Sequence, residues 1–243
     1  MSEIKTYTND EELEKVWMDG FQIYMDNARK SKNAEEEFMK QQDVYSQFAN
    51  VYDEAIRIEK YSGPGRIAAK VKELFPRDED LSAIKILDYG CGTGLVADNL
   101  NALGFKDIEG LDPNTELLQE AKKKNVMKKF YQMKSTDSHQ CFETASYDVI
   151  TSAGTFFLSA SHPGFETVKT LTRIIKKGGY LILLIKNAYL ECPFIDHTII
   201  PQLEAEGVLK SFPKELFEGY RQAFKHEEDG QSMGAFLVYQ ILK

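Results

Sequence analysis

The most informative segment of this 243-residue chain is Ile84-Lys-Ile-Leu-Asp-Tyr-Gly-Cys-Gly-Thr-Gly-Leu95. It begins with a short apolar segment typical of a buried strand, reaches an acidic residue at Asp88 and continues with Gly90, Gly92 and Gly94. Glycine has no Cβ, so the backbone can turn sharply there and can approach a ligand closely. The pattern therefore predicts a strand, a tight turn and the start of a helix, arranged as in a nucleotide-type cofactor site.

The spacing of the glycines discriminates between two kinds of cofactor. A dinucleotide-binding turn has the pattern G-x-G-x-x-G, whose third glycine would stand where this chain has Leu95. Asp88 would also face a pyrophosphate group and repel it across a low-dielectric cleft. S-adenosylmethionine carries a sulfonium and an ammonium group and has no phosphate. It therefore suits this acidic turn better than a dinucleotide does.

A second acidic residue favours the same cofactor. Asp112 ends the next apolar segment and lies 18 residues after Gly94. A carboxylate that binds a ribose is expected about 20 residues after such a turn. Its two oxygens can accept hydrogen bonds from both ribose hydroxyls. The order of strand, acid, glycines, helix, strand and acid thus predicts a bound adenosyl group.

With these motifs the chain resembles the class I S-adenosylmethionine-dependent methyltransferases over about residues 44–243. Three further stretches are similar to the family's third, fourth and fifth strands with their loops: Phe130 to Ser138, Tyr147 to Gly154 and Arg173 to Leu184. More narrowly, the chain resembles the small methyltransferase-like group that includes the Williams–Beuren syndrome region methyltransferase. The residues that carry this narrower resemblance are Val44-Tyr45, Tyr52-Asp53, Ser152 to Thr155 and Gly178-Gly179.

The resemblance also implies roles for individual residues. Asp137 is expected to bind the exocyclic amine of the adenine and Ser138 the edge of its ring, while Tyr45 and Tyr52 reach the methionine end of the cofactor. The full set of expected cofactor-binding residues is Tyr45, Tyr52, Asp88, Gly90, Cys91, Gly92, Thr93, Gly94, Asp112, Pro113, Asp137, Ser138, Ala153 and Gly154. No metal site is predicted, because the three cysteines lie far apart and lack metal-ligand spacing.

The composition limits the kinds of partner. The formal net charge is −8 at pH 7, which argues against nucleic acid and anionic membranes, because clusters of lysine and arginine bind phosphate groups. No segment approaches the ~20 apolar residues that a membrane span needs. Residues 1–6 lack the basic start and apolar core of a signal peptide. The sequence therefore predicts a soluble cytoplasmic protein.

Two parts of the chain are expected to have different architectures. Before residue 60, apolar residues recur at helical spacing in an acidic background, and Asn33 with Glu36 gives a capping signal. These helices either only pack on the core or also form a lid over the cofactor. We predict a helical cap at residues 1–62 and a cofactor-binding core at residues 63–243.

Strands and helices alternate from residue 84 onward, which predicts an α/β fold with helices on both faces of a parallel sheet. The family resemblance implies a Rossmann-like sheet of seven strands, mostly parallel, with an antiparallel last strand. Strands are predicted at about residues 84–88, 107–112, 129–134, 147–152 and 179–186, and helices at about 95–103, 114–125, 163–176 and 197–206.

Two local signals define the ends of the later elements. Ser161 is expected to cap the helix that starts near residue 163, and Lys176-Lys177-Gly178 is expected to end it. The tail is predicted as two antiparallel strands, at about residues 216–227 and 234–242, joined by an Asp-Gly turn.

Methyl transfer from a sulfonium is an in-line displacement, for which a protein mainly has to align donor and acceptor. A base is needed only where the acceptor loses a proton. Candidate pocket residues follow the carboxyl ends of strands four and five, because open α/β sheets bind ligands there. Tyr52, Tyr189 and His197 are the candidate catalytic residues. The segment after strand four lacks the Asn-Pro-Pro-Tyr motif of methyltransferases that act on base amines or glutamine amides.

The sequence is compatible with several functions. The leading hypothesis is a methyltransferase with a small-molecule acceptor, because the short insertions after strands four and five leave no domain for a macromolecular substrate. A protein methyltransferase that recognises its partner through the acidic cap is the second. The third is a non-catalytic protein that binds S-adenosylmethionine and uses its N-terminal helices as an interaction surface. The misplaced third glycine makes a dinucleotide oxidoreductase the least favoured. The oligomeric state is not specified by the sequence.

Overall fold

The computed structural model describes residues 10–17, 20, 26–27, 30–75, 80–134, 141–156, 162–191, 195–220 and 233–243. Its α-helices are α1 Asp10–Val16, α2 Ala34–Phe48, α3 Tyr52–Ile58, α4 Gly63–Leu74, α5 Leu95–Ala102, α6 Thr115–Lys124, α7 Phe165–Ile174 and α8 Ile199–Ala205. Its strands are β1 Lys85–Tyr89, β2 Asp107–Asp112, β3 Lys129–Gln132, β4 Tyr147–Ala153, β5 Ile175–Lys186, β6 Leu209–Ser211, β7 Glu215–Phe217 and β8 Gly234–Ile241. In these ranges we find no candidate for a membrane-spanning helix.

The strands form one mixed sheet in the order β3-β2-β1-β4-β5-β8-β6, with β7 paired to β8. Strands β1 to β5 pair with one another in parallel, whereas β8 runs antiparallel to β5. The predicted Rossmann-like α/β fold with an antiparallel strand is confirmed. Strands β2 and β3 lie on one side of β1, and β4 and β5 lie on its other side, so the order of the strands reverses at β1. This reversal makes the carboxyl end of β1 the expected place for a ligand cleft.

Alternating side chains of the central strands build one apolar core on each face of the sheet. In β5, Leu181, Leu183 and Ile185 belong to the cluster with α7 and α8. Their neighbours Ile182 and Leu184 belong to the cluster with α4, α5 and α6. Because successive residues of a strand point to opposite faces, this continuous apolar run identifies a strand that is covered on both sides.

The junction of α7 and β5 differs from the prediction. The helix ends at Ile174, with Gly164 as its N-cap residue, and the strand begins at Ile175. The predicted cap Ser161 lies outside the described residues. The expected stop signal at 176–178 is inside the strand, because Tyr147 pairs with Ile175 before an irregularity in the register. Tertiary pairing with β4 thus overrides the local helix pattern.

The end of the chain contains one more strand than predicted, so that the described sheet has eight strands rather than seven. Leu209–Ser211 and Glu215–Phe217 pair with opposite ends of β8. Pro213 stands between them and has no amide hydrogen, which interrupts a continuous ladder. The predicted antiparallel pairing with β8 is present in β7, while the Asp-Gly turn lies outside the described residues.

The N-terminal helices have an apolar cluster of their own, formed by Trp17, Val44, Phe48, Ala55 and Ile56. The predicted capping residue Asn33 accepts a hydrogen bond from the Glu36 amide at 2.9 Å, so α2 starts where the sequence signal places it. Trp17 donates from Nε1 to the carboxylate of Glu59 at 2.6 Å. This second hydrogen bond joins the residue that follows α1 to the residue that follows α3.

Candidate functional site

The glycine-rich turn connects the carboxyl end of β1 to the start of α5. Gly90 and Gly92 have φ angles of +77° and +52°. A Cβ at Gly90 would lie 2.2 Å from Oγ1 of Thr155, whereas a Cβ at Gly92 would meet nothing within 4 Å. The turn therefore needs glycine at Gly90 for close packing, and at Gly92 its backbone faces open space.

Asp112 ends β2 beside this turn. Its carboxylate accepts hydrogen bonds from the Gly92 and Asn114 backbone amides, each at 2.9 Å. The side chain is 7% exposed, and burial raises the pKa of Asp112 to about 6. Each carboxylate oxygen has lone pairs beyond the one that these amides use. Asp112 can therefore accept further hydrogen bonds from hydroxyl groups in the cleft.

Asp88 lies beneath the turn rather than on the wall of the cleft. It is 1% exposed and accepts a hydrogen bond from Oγ1 of Thr151 at 3.0 Å. In the described part of the chain, its Oδ2 atom has no hydrogen-bond partner. Burial raises the pKa of Asp88 to about 7, and the nearby charge of Asp112 acts in the same direction. Two acidic groups thus stand close to the turn in a dry environment.

A cleft of about 730 Å³, which includes space open to solvent, lies over the turn. Helix α2 and the start of α3 supply one wall, and the carboxyl ends of β1, β2 and β4 with their loops supply the rest. The residues that line it are Phe38, Gln41, Gln42, Tyr45, Tyr52, Tyr89, Gly90, Gly92, Leu111, Asp112, Pro113, Leu117, Ala153, Gly154, Thr155, His162 and Pro163.

A smaller cleft of about 380 Å³ lies on the other side of the same turn. It is lined by Tyr52, Ile56, Tyr61, Pro64, Gly90, Cys91, Gly92, Thr93, Leu95, Val96 and Ala153. Both clefts share Tyr52, Gly90, Gly92 and Ala153. One elongated ligand lying across the glycine turn would therefore contact both.

The cap is joined to the core beside the larger cleft. Asn114 donates from Nδ2 to the Gln42 carbonyl at 3.1 Å and to Oγ of Ser46 at 3.0 Å. Ser46 donates in turn to the carboxylate of Glu116 at 2.7 Å. Because Asn114 also accepts from the Leu117 amide, the same residue caps α6 and holds α2 over the end of β2.

Most of the sequence-predicted cofactor residues converge on this place. The larger cleft is lined by Tyr45, Tyr52, Gly90, Gly92, Asp112, Pro113, Ala153 and Gly154. Cys91 and Thr93 line the smaller one, and Gly94 is the N-cap residue of α5. Cys91 is also buried in the apolar core, and this burial raises the pKa of its thiol. Asp137 and Ser138 lie outside the described residues.

The three candidate catalytic residues do not share one location. Tyr52 lines both clefts, whereas the described residues that line them do not include Tyr189 or His197. His197 is exposed, and its ring lies 5.9 Å from that of Phe165. Tyr189 is partly buried and packs on the core face that carries α7 and α8.

Several lining residues were not predicted from the sequence. Phe38, Gln41 and Gln42 come from α2, where the helical spacing of apolar residues predicted a packing face but selected none of these three as a ligand contact. Thr155 and His162 follow β4, and the rule that ligands bind beyond the carboxyl ends of strands pointed to this segment without selecting them. Such side chains become recognisable only once the cap is placed over the sheet.

A family profile described as a methyltransferase domain matches residues 59–228. The chain belongs to this family. The methyltransferase domain is of class I, and its cofactor is S-adenosylmethionine, the methyl donor that this class uses. Among curated proteins, no sequence matches significantly.

Three solved structures share the fold at low sequence identity. One is a chain from the complex of the Haloferax volcanii Trm112 methyltransferase activator with a protein assigned as a methyltransferase: TM-score 0.60, 17% identity, covering 83% of this chain and 97% of that chain. Another is a TehB-like S-adenosylmethionine-dependent methyltransferase from Corynebacterium glutamicum: TM-score 0.54, 23% identity, covering 79% and 97%. The third is the [4+2]-cyclase SpnF: TM-score 0.52, 16% identity, covering 73% and 81%.

Proposed function

We propose that the two clefts hold one molecule of S-adenosylmethionine across the glycine turn and that the protein transfers its methyl group to a small-molecule acceptor. The observation that carries the proposal is the pair formed by Asp112 and Gly92. Asp112 places a buried carboxylate with free lone pairs on the cleft wall, and Gly92 leaves open the space that a side chain would fill. A ribose beside an unobstructed backbone fits this arrangement.

The lining residues support a direction for the bound cofactor. Asp112, Pro113 and Leu117 line only the larger cleft, where we place the adenosine. Thr93 and Tyr61 line only the smaller cleft, where we place the amino-acid end. The expected contacts of Asp137 and Ser138 with the adenine remain part of this proposal.

When bound, S-adenosylmethionine supplies a methyl group that its sulfonium charge already activates. The protein's part is to orient the two reactants, because proximity and alignment can contribute several kcal/mol to such a displacement. Asp112, whose pKa is about 6, provides negative charge on the cleft wall at neutral pH, which favours a cationic ligand in a poorly hydrated cleft. Tyr52 spans both clefts, so it is the best placed of the three candidate catalytic residues.

Two features favour a small acceptor. The cap helix α2 covers the larger cleft, which leaves a bounded space rather than an open groove. Among the described residues that line this cleft, aromatic and other apolar side chains predominate, and there is no lysine or arginine. A neutral or cationic acceptor fits these surroundings better than an anionic one.

Two finer assignments are also proposals. Membership of the group that includes the Williams–Beuren syndrome region methyltransferase is supported by Tyr52, which lines the smaller cleft where we place the methionine end. Tyr45, which the resemblance assigns to the same end, lines the larger cleft only. The division into a cap at residues 1–62 and a core at residues 63–243 is supported by the separate apolar cluster of the N-terminal helices.

The alternative functions make different experimental predictions. The fold is shared with the [4+2]-cyclase SpnF and with a chain from an activator complex, so the fold alone does not identify the reaction. A protein methyltransferase would label polypeptides. A non-catalytic binding protein would hold the cofactor and transfer nothing.

The test combines binding with tracing of the methyl group. Calorimetry with S-adenosylmethionine and S-adenosylhomocysteine is expected to give saturable heats, and NAD none. Incubation of the protein and radiolabelled donor with a cell extract is then expected to place label in the small-molecule fraction. Label in the protein fraction would identify a protein methyltransferase, and binding without label in any fraction would identify a binding protein. Absence of heat with both adenosyl compounds would contradict the proposed site.

A further inference from the structure

Asp53, at the start of α3, connects three parts of the chain that are distant in sequence. One oxygen of its carboxylate accepts a hydrogen bond from Oγ1 of Thr93 in the glycine turn, at 2.5 Å. The other forms an ion pair of 2.5 Å with Nζ of Lys124, the last residue of α6. Nζ of Lys124 also donates to the Thr93 carbonyl at 2.8 Å. The three residues therefore close a ring of contacts between the cap, the turn and α6.

Thr93 is the residue of the turn whose orientation is least restricted by its neighbours in the sequence. Thr93 stands between Gly92 and Gly94, both of which have positive φ angles. Glycine permits many backbone conformations, so the flanking residues do not fix the orientation of Thr93 by themselves. Thr93 is nevertheless 2% exposed, with its hydroxyl and its carbonyl both engaged in the ring. Asp53 and Lys124 hold the hydroxyl and the carbonyl of Thr93, while the amides of its two neighbours bond to Asp112 and to the Cys91 carbonyl.

The same contact sets the width of the smaller cleft. Tyr52 precedes Asp53 in α3 and lines both clefts, while Thr93 lines the smaller one. A change in the distance between Asp53 and Thr93 would move the aromatic wall relative to the glycine turn. Neither Asp53 nor Lys124 is among the described residues that line the clefts. Their influence on a ligand must therefore pass through Tyr52 and Thr93.

We infer that Asp53 is a positioning residue, which together with Lys124 holds Thr93 and Tyr52 in the geometry that binds the amino-acid end of the cofactor. The inference rests on the proposed function and on the placement of the adenosine in the larger cleft. The ring of contacts should therefore affect the two ligands differently. The affinity for S-adenosylhomocysteine, which reaches the smaller cleft, should depend on Asp53, whereas the affinity for adenosine should not.

The test compares two ligands on four proteins: wild type, Asp53→Asn, Lys124→Met and the double variant. Calorimetry with S-adenosylhomocysteine should show each single variant weakened about tenfold, and the double variant weakened little further, because the two residues act as one unit. Adenosine should bind all four with affinities within about twofold of each other. Asp43→Asn removes the same charge from an exposed position on α2 and should bind both ligands as the wild type does.

Three patterns would overturn the inference. The first is that Asp53→Asn and Lys124→Met bind S-adenosylhomocysteine as tightly as the wild type does. The second is that both ligands lose affinity in the same proportion, which is the signature of a general loosening of the fold. The third is that the effects of the single variants multiply in the double variant. Wild-type protein that binds neither ligand gives a different pattern, which overturns the proposed function and this inference with it.

Discussion

The carboxylate of Asp112 accepts a hydrogen bond from the backbone amide of Gly92 at 2.9 Å. The residue that we expect to bind the ribose therefore also shapes the turn on which the cofactor lies. Its second oxygen accepts from the Asn114 amide and so fixes the start of α6. This double use explains why an acid that is costly to bury is found at the end of β2.

Replacement of Asp112 should weaken cofactor binding. We expect Asp112→Ala to reduce the affinity for S-adenosylhomocysteine by roughly 1–3 kcal/mol, because charge-assisted hydrogen bonds are lost. Calorimetry measures the difference. Asp107→Asn is a matched control, since Asp107 begins the same strand and pairs with Lys128 away from the cleft. Unchanged affinity in Asp112→Ala would remove Asp112 from the site.

Asp88 should make the free energy of unfolding depend on pH. Burial raises its pKa from an ordinary 3.8 to about 7, so the folded state favours the protonated form. The contribution of protonated Asp88 to the free energy of unfolding is therefore fully present below pH 3.8. It is lost as the pH rises from there through about 7. Asp88→Asn has no charge to lose. Its stability relative to wild type should therefore increase by about 2–3 kcal/mol between pH 5 and pH 8.

Urea unfolding of both proteins at the two pH values measures this difference. The amide of the variant retains an oxygen that can accept from Thr151, so the hydrogen bond of the native residue is preserved. A stability difference that stays constant across this pH interval would show that Asp88 does not titrate there.

Alanine at Gly92 should affect binding more than stability, and Gly178 provides the comparison. Both glycines have positive φ angles, +52° and +83°, and a Cβ at either position would meet nothing within 4 Å. Each substitution should destabilise the fold by about 1–2 kcal/mol, the strain of a left-handed residue. Only Gly92→Ala should also abolish the heat of S-adenosylhomocysteine binding. Equal binding by the two variants would place the cofactor elsewhere.

The hydroxyl of Tyr52 should contribute to the site if the cap acts as a lid. We expect Tyr52→Phe to weaken S-adenosylhomocysteine binding by about 1 kcal/mol, the usual contribution of one hydrogen bond. Tyr180→Phe is the control, because its hydroxyl accepts from Gln240 within the sheet, far along β5 from the cleft. If Tyr52→Phe binds as the wild type does, Tyr52 only packs.

Trp17 should stabilise the cap through its contact with buried Glu59. Trp17→Phe keeps an aromatic ring but removes the donor, and we expect a loss of about 1–3 kcal/mol, because a buried carboxylate loses a partner. Unfolding followed by circular dichroism measures it, since Trp17 is the only tryptophan. Adding Glu59→Gln to this variant should recover part of the loss. No recovery would indicate that ring packing, rather than the hydrogen bond, is what Trp17 supplies.

Features that depend on local backbone chemistry could be predicted from the amino-acid sequence. Alternate glycines after an apolar strand predicted the turn, because only glycine adopts its backbone angles without strain. Asp112 could be placed at the end of the next strand from its position after an apolar run. Asn33 identified the start of α2, since a side chain there can bond to a free amide of the first turn.

Contacts between distant segments could be recognised only in the folded chain. Pairing with β4 started β5 at Ile175, although the local pattern favoured a longer helix. The cap placed Tyr52 at the clefts, while the folding of the last elements put His197 on the exposed surface. Asp53 and Lys124 are 71 residues apart, yet they pair. Periodicity reports the burial and backbone conformation of one segment, whereas contacts between segments depend on how their surfaces fit once the chain is compact.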